Sequence, residues 1–262
     1  MAEIAFHKWQ GAGNDFIIID NRNGQLAETH EDFIKWMCDR HFGIGADGLM
    51  LLNAHDELDF EMQYFNSDGI EADMCGNGGR CIAAHAHRLG LFQGTAKFMT
   101  RAGIHLAEVL PDKEIRLKMK DVNKINLTRE GWHLNTGVPH LVVFTDDLGQ
   151  TDVHRQGARL RFDPLFQPAG TNVNFVHFAD GQLHIRTYER GVEAETLACG
   201  TGVVASALAY ATDKNLSVSQ IPCQTRGGRL LVDFIKQGNA FTDIWLTGPA
   251  MEVYTGKLSY PY

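Results

Sequence analysis

The sequence predicts a mixed α/β (α+β) chain made of two similar halves. Three observations carry this: many short strand-like runs, few helices, and three segments that recur in order about half a chain apart. Gly69-Ile-Glu-Ala72 precedes Cys75-Gly-Asn-Gly78, as Gly191-Val-Glu-Ala194 precedes Cys199-Gly-Thr-Gly202, and Thr100-Arg-Ala-Gly103 returns as Thr225-Arg-Gly-Gly228. The copies are 124 residues apart at the cysteines and 125 at the threonines. Such fixed-distance self-similarity marks a repeated architecture. It places the halves at 1–124, carrying Cys75, and 125–262, carrying Cys199, joined near Asp121 to Thr128.

In the first half, Phe16 to Asp20, Leu49 to Leu52, Phe60 to Phe65, Lys97 to Thr100, Leu106 to Leu110 and Ile115 to Met119 are expected as strands, being short, apolar and rich in β-formers. Thr29 to Cys38 has Phe33, Trp36 and Met37 at helical spacing. Asn77 to about Leu89 is a second expected helix, with Gly90 placed to end it. In the second half, Leu141 to Phe144, Val173 to Phe178 and Leu183 to Tyr188 are expected as strands. Gly202 to Ala211 is expected as a helix, with further strands between Ser217 and Tyr254. The order lacks the strand–helix alternation of a doubly wound sheet. Gly43-x-Gly45-x-x-Gly48 matches a dinucleotide fingerprint in letters only, because it leads into a strand instead of following one.

Composition narrows the function. The 262 residues are 44% hydrophobic and 21% charged with net charge −8, a globular balance without a basic stripe, so nucleic acid is not an expected partner. No apolar run reaches the ~18 residues of a membrane span. The first residues lack the pattern of a signal peptide. A cytoplasmic setting is expected, with the five cysteines as thiols unless chemistry uses them.

Cys-Gly-x-Gly opening a helix has a physical meaning. The first helical turn offers unpaired N–H groups and partial positive charge. A thiol there ionises more readily than free cysteine, and the glycines let an anion approach the backbone donors. Two such elements in matched halves suit a base and an acid on opposite faces of a carbon stereocentre. Charging one thiol opposes charging the other, which favours the mixed thiolate/thiol state. A redox dithiol or a metal site fits less well: there is no Cys-x-x-Cys, and Cys75, Cys81, His85 and His87 lack structural-zinc spacing. No metal is expected.

The chain resembles the diaminopimelate epimerase family along nearly its whole length. The segments that carry the resemblance are Gly11-Ala-Gly-Asn-Asp-Phe16, Gly43-Ile-Gly-Ala-Asp-Gly48, Phe65-Asn-Ser-Asp-Gly69, Cys75-Gly-Asn-Gly-Gly-Arg80, Gly137-Val-Pro-His140, Gly170-Thr-Asn-Val-Asn-Phe175, Tyr188-Glu-Arg-Gly191 and Glu195-Thr-Leu-Ala-Cys-Gly-Thr-Gly202. The resemblance implies two halves of one fold, each a sheet wrapped around a central helix, with the active site between them. It implies an isomerase that epimerises LL-2,6-diaminoheptanedioate to the meso form, in lysine and peptidoglycan precursor synthesis, without pyridoxal phosphate or any other cofactor. Cys75 and Cys199 are implied as the acid/base pair, and His140 and Glu189 as the residues that tune them. Asn14, Asn66, Gly76, Asn77, Asn172, Glu189, Arg190, Gly200 and Thr201 are implied as substrate contacts. The implied partner is a small amino acid, with a homodimer as the compatible assembly.

On spacing alone, other roles stay open. Asn14 and Asn66 sit beside turn glycines, Asn172 could pair local backbone, Glu189 and Arg190 could be a solvated pair, and His140 a structural histidine. Three features depart from the family pattern: Val138 where many members have asparagine, Gly48 where some have glutamine, and a 189–199 segment one residue longer through Glu193 and Ala194. Val138 and the longer segment keep open a racemase of proline or hydroxyproline type. A non-catalytic amino-acid-binding or thiol redox protein is the alternative from another class.

Overall fold

The computed structural model describes residues 3–26, 30–216 and 219–259. The first strands are β1 (Glu3–Gly11), β2 (Asn14–Asp20), β3 (Gly48–Asn53), β4 (Phe60–Asn66) and the short β5 (Glu71–Ala72), with helices α1 (Glu31–Cys38) and α2 (Gly76–Arg88). Then come β6 (Thr95–Thr100), β7 (Gly103–Val109) and β8 (Ile115–Lys118). The chain continues through β9 (Ile125–Thr128), β10 (Gly131–Asn135), β11 (Pro139–Phe144), α3 (Val153–Arg161), β12 (Asn172–Ala179), β13 (Gln182–Glu189), β14 (Ala194–Thr196) and α4 (Gly200–Asp213). It ends with β15 (Gln220–Thr225), β16 (Gly228–Gln237), β17 (Ala240–Gly248) and β18 (Met251–Ser259). The architecture is mixed α+β. No helix among the described residues is long and apolar enough to cross a membrane.

Two compact units emerge: residues 1–117 with 249–262, and residues 118–248. In the first, the strands run β18–β1–β2–β3–β4–β6–β7, and only β2/β3 and β4/β6 are parallel. In the second they run β9–β10–β11–β12–β13–β15–β16–β17, and again only two pairs, β11/β12 and β13/β15, are parallel. Parallel pairs need long crossovers, and each unit spends its helices on them. α1 and α3 lie on the β2-to-β3 and β11-to-β12 crossovers, and α2 and α4 on the β4-to-β6 and β13-to-β15 crossovers. The leading strand of the first unit, β18, comes from the far end of the chain and pairs antiparallel with β1 from Glu3↔Ser259 onward. Residues 249–262, expected with the second half, therefore group with the first unit.

Each sheet wraps a central helix. α2 touches β1, β2, β3, β4 and β7, and α4 touches β10 to β13 and β15 to β17. Small residues permit this: Gly78, Gly79, Ala83 and Ala86 in α2, and Ala205, Ala207, Ala209 and Ala211 in α4, are buried. The strands between the central and outer helices are buried on both faces, so they read as continuous apolar runs. In β2, Ile17 and Ile19 pack with Phe33, Ile34 and Met37 of α1, leaving Phe16 and Ile18 on the opposite face. In the second unit Leu141, Val173 and Phe175 pack with Val153 and Leu160 of α3.

The expected strands and helices fall on observed ones, with differences that have causes. Thr29 and Ser217, the expected starts of a helix and of the last strands, lie outside the described residues; α1 begins at Glu31. α3 was not expected, because Val153–Arg161 is mostly polar and holds a glycine. Gly157 is there because a Cβ would overlap the Tyr188 side chain, and Asp152 caps the helix through Arg155 N–H at 3.0 Å.

Candidate active site

In the first unit, Cys75 is the N-cap of α2, with extended backbone (φ −127°, ψ 120°), and its carbonyl accepts from Gly79 N–H at 2.7 Å. The thiol is half-buried. Its Sγ lies 3.6 Å from Asn14 Oδ1 on the first residue of β2. The same oxygen accepts from Asn77 Nδ2 at 3.3 Å, while Asn14 Nδ2 donates to Asp47 Oδ2 at 2.6 Å. The Asp47 carboxylate fixes which end of the Asn14 amide faces the sulfur. Asn77 Oδ1 accepts from Arg80 Nη2 at 3.0 Å, and Arg80 is wholly buried.

This half is anchored by ion pairs beside β2. Asp15 bonds Lys8 at 2.7 Å and Arg40 at 2.8 Å, and Arg40 also bonds Asp47 at 2.7 Å. Burial opposes ionisation of Asp15, but the hydrogen bonds from Arg40 and Lys8 outweigh it and hold its carboxyl well below the usual range. Asn14 is thus a strand residue facing the sulfur. Asn66 ends β4, is exposed, and accepts from Gly69 N–H at 2.9 Å to close a turn. Its Oδ1 accepts from the Tyr64 hydroxyl at 2.9 Å. A Cβ on Gly48 would sit 2.5 Å from Phe65 O and 2.6 Å from the Tyr64 ring, so Tyr64 fills the space a longer residue at 48 would need.

In the second unit, Cys199 is the N-cap of α4 (φ −118°, ψ 109°) and is buried. Its Sγ is 3.5 Å from Thr201 Oγ1, which is 2.9 Å from His140 Nε2. The Thr201 carbonyl accepts from Thr136 Oγ1 at 2.9 Å. Asn172 Oδ1 accepts from Arg190 N–H at 2.7 Å, and its amide nitrogen is 3.5 Å from His140 Nε2. Burial pushes the His140 imidazole down to about 3, with His133 and Arg190 pushing the same way, so the ring is neutral at physiological pH. Arg190 donates to Ala169 O at 2.8 Å. Glu189 closes β13, and its carbonyl accepts from Glu193 N–H at 2.8 Å. Glu193 has a left-handed backbone (φ 55°), and its carboxylate accepts from Gly191 N–H at 3.0 Å and Arg161 Nε at 3.2 Å. The longer 189–199 segment therefore closes as a braced turn.

Each unit thus gathers a thiol at a helix start with carboxamide, hydroxyl or imidazole groups around it: Asn14, Asn77 and Cys75 in one, His140, Asn172, Arg190, Thr201 and Cys199 in the other. Gly76 and Gly200 open the two helices. Sequence reasoning missed Asp47, Arg80, Thr136 and Asn174. Asn174 had a readable signal, since it lies two residues from Asn172 and so on the same face of β12.

Among the described residues, His7, His85 and Glu252 offer ligand atoms within 4.8 Å of one another. Glu252 already bonds His7 Nδ1 at 2.7 Å and Arg88. Glu252 is thus engaged by both, and the group stands as a hydrogen-bonded cluster.

The profile of the family described as Diaminopimelate epimerase matches residues 6–125 and again 133–253. A protein of Flavobacterium psychrophilum named diaminopimelate epimerase is 45% identical over 252 residues, covering 96% of this chain and 98% of its own. One from Aquifex aeolicus with the same name is 39% identical, covering 98% of each chain. Among solved structures, a Bacillus anthracis phenazine biosynthesis protein of the PhzF family superposes with TM-score 0.78 at 16% identity, covering 99% of this chain and 100% of that one. An Agrobacterium vitis hydroxyproline epimerase with bound trans-4-hydroxy-L-proline gives TM-score 0.68 at 15% identity, covering 98% and 92%. These two likenesses show a shared fold.

Proposed function

The chain belongs to the diaminopimelate epimerase family, and from that premise we propose that it interconverts LL-2,6-diaminoheptanedioate and meso-diaminopimelate by proton transfer between two cysteines. The observation that carries this reading is that a chain aligning end to end with named epimerases sets a cysteine at the start of each of its two central helices.

In the proposed step, the thiolate of one cysteine takes the proton from the α-carbon, and the C–H bonding pair stays on the carbon. The carbanion's charge spreads onto the adjacent carboxylate, and the thiol of the other cysteine returns a proton from the opposite side. The sulfurs end with exchanged protonation, and the carbon with inverted configuration. N–H groups of the two helix starts, at Gly76-Asn77 and Gly200-Thr201, are the proposed donors to the charged carboxylate. Asn14, Asn66, Asn172, Glu189 and Arg190 are proposed to hold the ammonium and carboxylate groups, since amides offer both donor and acceptor and a guanidinium grips a carboxylate. His140 and Glu189 are proposed to tune the thiols. The reaction draws on side chains and backbone alone. The proposed setting is the cytoplasm, in lysine and peptidoglycan precursor synthesis, with a homodimer as the assembly to test.

The test is turnover in deuterated water. Deuterium should enter one α-carbon of diaminopimelate as the LL and meso forms interconvert. Turnover without label would exclude the mechanism. Activity on proline or hydroxyproline, with none on diaminopimelate, would move the chain to the racemases.

A further inference from the structure

The floors beneath the two cysteine-led helix starts differ in chemistry. Gly78 and Gly202 stand at the same place in their motifs. A Cβ on Gly78 would meet Met50 Sδ at 3.1 Å and Phe16 Cε1 at 3.5 Å. A Cβ on Gly202 would overlap Asn174 Oδ1 and meet His140 Cε1 at 3.3 Å. The strand registers equate these neighbours. Phe16↔Gly48 and His140↔Asn172 open the two parallel ladders, and Met50 and Asn174 follow two residues on. An apolar pair under the first helix start is replaced by a hydrogen-bonded pair under the second.

The direction of each hydrogen bond in that pair is fixed. Asn174 Nδ2 lies 3.1 Å from the Leu141 carbonyl, which only accepts, and Asn174 Oδ1 is 3.0 Å from Thr187 Oγ1. The amide nitrogen therefore faces His140 Nδ1, also at 3.1 Å, and donates to it. A neutral imidazole that accepts at Nδ1 carries its proton on Nε2. That Nε2–H points at Thr201 Oγ1, 2.9 Å away, so the hydroxyl accepts there and its own proton is turned toward Cys199 Sγ at 3.5 Å. Asn172 Nδ2, also a donor, lies 3.5 Å from Nε2, a longer and weaker contact than the 3.1 Å bond from Asn174 that sets the tautomer. The charged and titratable groups acting on the ring are His133 and Arg190.

We propose that Asn174 is a positioning residue for the second thiol: by fixing the His140 tautomer it makes Thr201 a hydrogen-bond donor to the Cys199 sulfur. This favours the thiolate at Cys199. Cys75 Sγ has Asn14 Oδ1, an oxygen that only accepts, at 3.6 Å in the corresponding half. The proposal rests on the reading of Cys199 as an acid/base group.

Two measurements test it on the whole protein. Histidine-selective 15N NMR of the native chain, with the His140 signals assigned by their loss in His140→Asn, should show a proton on Nε2 and none on Nδ1; a proton on Nδ1 overturns the proposal. The pH dependence of iodoacetamide alkylation, read at Cys199 and Cys75 separately by mass spectrometry, gives each thiolate population. Asn174→Leu should lower the Cys199 thiolate population about tenfold at a fixed pH, one unit of pKa, without lowering that of Cys75. Thr201→Val should do the same, and combining the two should add nothing further. Additive effects, or equal changes at both cysteines, would make Asn174 a packing residue only. Neither readout uses turnover, so an inactive or differently specific enzyme would sink the functional reading without touching this one.

Discussion

Gly202 passes so close to Asn174 that a Cβ at 202 would overlap the amide oxygen. Both residues are buried, and Asn174 is held by Leu141, Thr187 and His140, so it has nowhere to go. Gly202→Ala should cost about 1–3 kcal/mol as an overpacking change. Gly78→Ala meets the flexible Met50 side chain instead, and should cost under about 1 kcal/mol. Urea denaturation of the two variants checks the order. Equal losses would mean that the hydrogen-bonded floor is no stiffer than the apolar one.

Stability should fall as the solution is acidified from about pH 6.5, because two buried histidines resist protonation. Burial pushes His140 down to about 3, and His85 down to about 4. Between those values and the unfolded imidazole value of ~6.5, the unfolded chain binds the proton and the folded chain does not. The stabilisation is whole above ~6.5 and is lost as pH falls through the folded values, at up to about 1.4 kcal/mol per pH unit for each ring. Denaturant midpoints at pH 7, 6 and 5 measure this slope. His140→Phe, which copies Phe16 of the first half, should flatten it.

Much of this was legible in the residues, and the exceptions have physical reasons. The duplicated Cys-Gly-x-Gly showed because a helix start pressed against neighbouring side chains at Gly78 and Gly202 constrains several adjacent residues at once. The runs Phe16 to Asp20 and Leu49 to Leu52 showed because strands buried on both faces are apolar throughout. β1 was overlooked, although Ile4, Phe6 and Lys8 alternate inward. Its pairing with β18 joins Glu3 to Ser259, a partnership no local pattern announces. Asp47 and Arg80 stayed hidden for a related reason: their partners, Asn14 and Asn77, are amides, and an amide's preferred neighbour leaves no mark on spacing.

The five cysteines should separate into two reactivity classes. Burial pushes the thiols of Cys38 and Cys81 up to about 12, and that of Cys223 higher still. A thiol that is neither ionised nor accessible is inert. In the native protein at pH 7.5, iodoacetamide should modify Cys75 and Cys199, and Cys38, Cys81 and Cys223 only as fast as the chain unfolds. Time-resolved mass mapping shows the order. Early modification of Cys81, one turn and a half along the same helix, would mean that α2 opens without global unfolding.

Replacing either N-cap cysteine should stop turnover while sparing the fold. General acid–base groups contribute about 100- to 10,000-fold, so Cys75→Ala and Cys199→Ala should each lose at least about 1,000-fold in kcat. The circular dichroism spectrum should stay native, since neither side chain carries a helix cap bond. Full activity in either variant would remove that cysteine from the reaction.

Arg80 separates stability from function most sharply. It is wholly buried, it donates from Nη2 to Asn77 Oδ1 at 3.0 Å, and its Nε and Nη1 have no hydrogen-bond partner among the described residues. Burying a cation with so little compensation costs free energy, and burial accordingly lowers the guanidinium's pKa. A long apolar side chain would fill the same space without that cost. Arg80→Met should leave the denaturation midpoint unchanged or raise it. The loss should appear at the thiol: without a cation beneath the start of α2, the Cys75 thiolate is less favoured, and Asn77 loses the bond that orients it. Alkylation at Cys75 should shift to higher pH and kcat should drop. A variant that instead unfolds easily while keeping the Cys75 profile would show that the guanidinium is there for packing, not for charge.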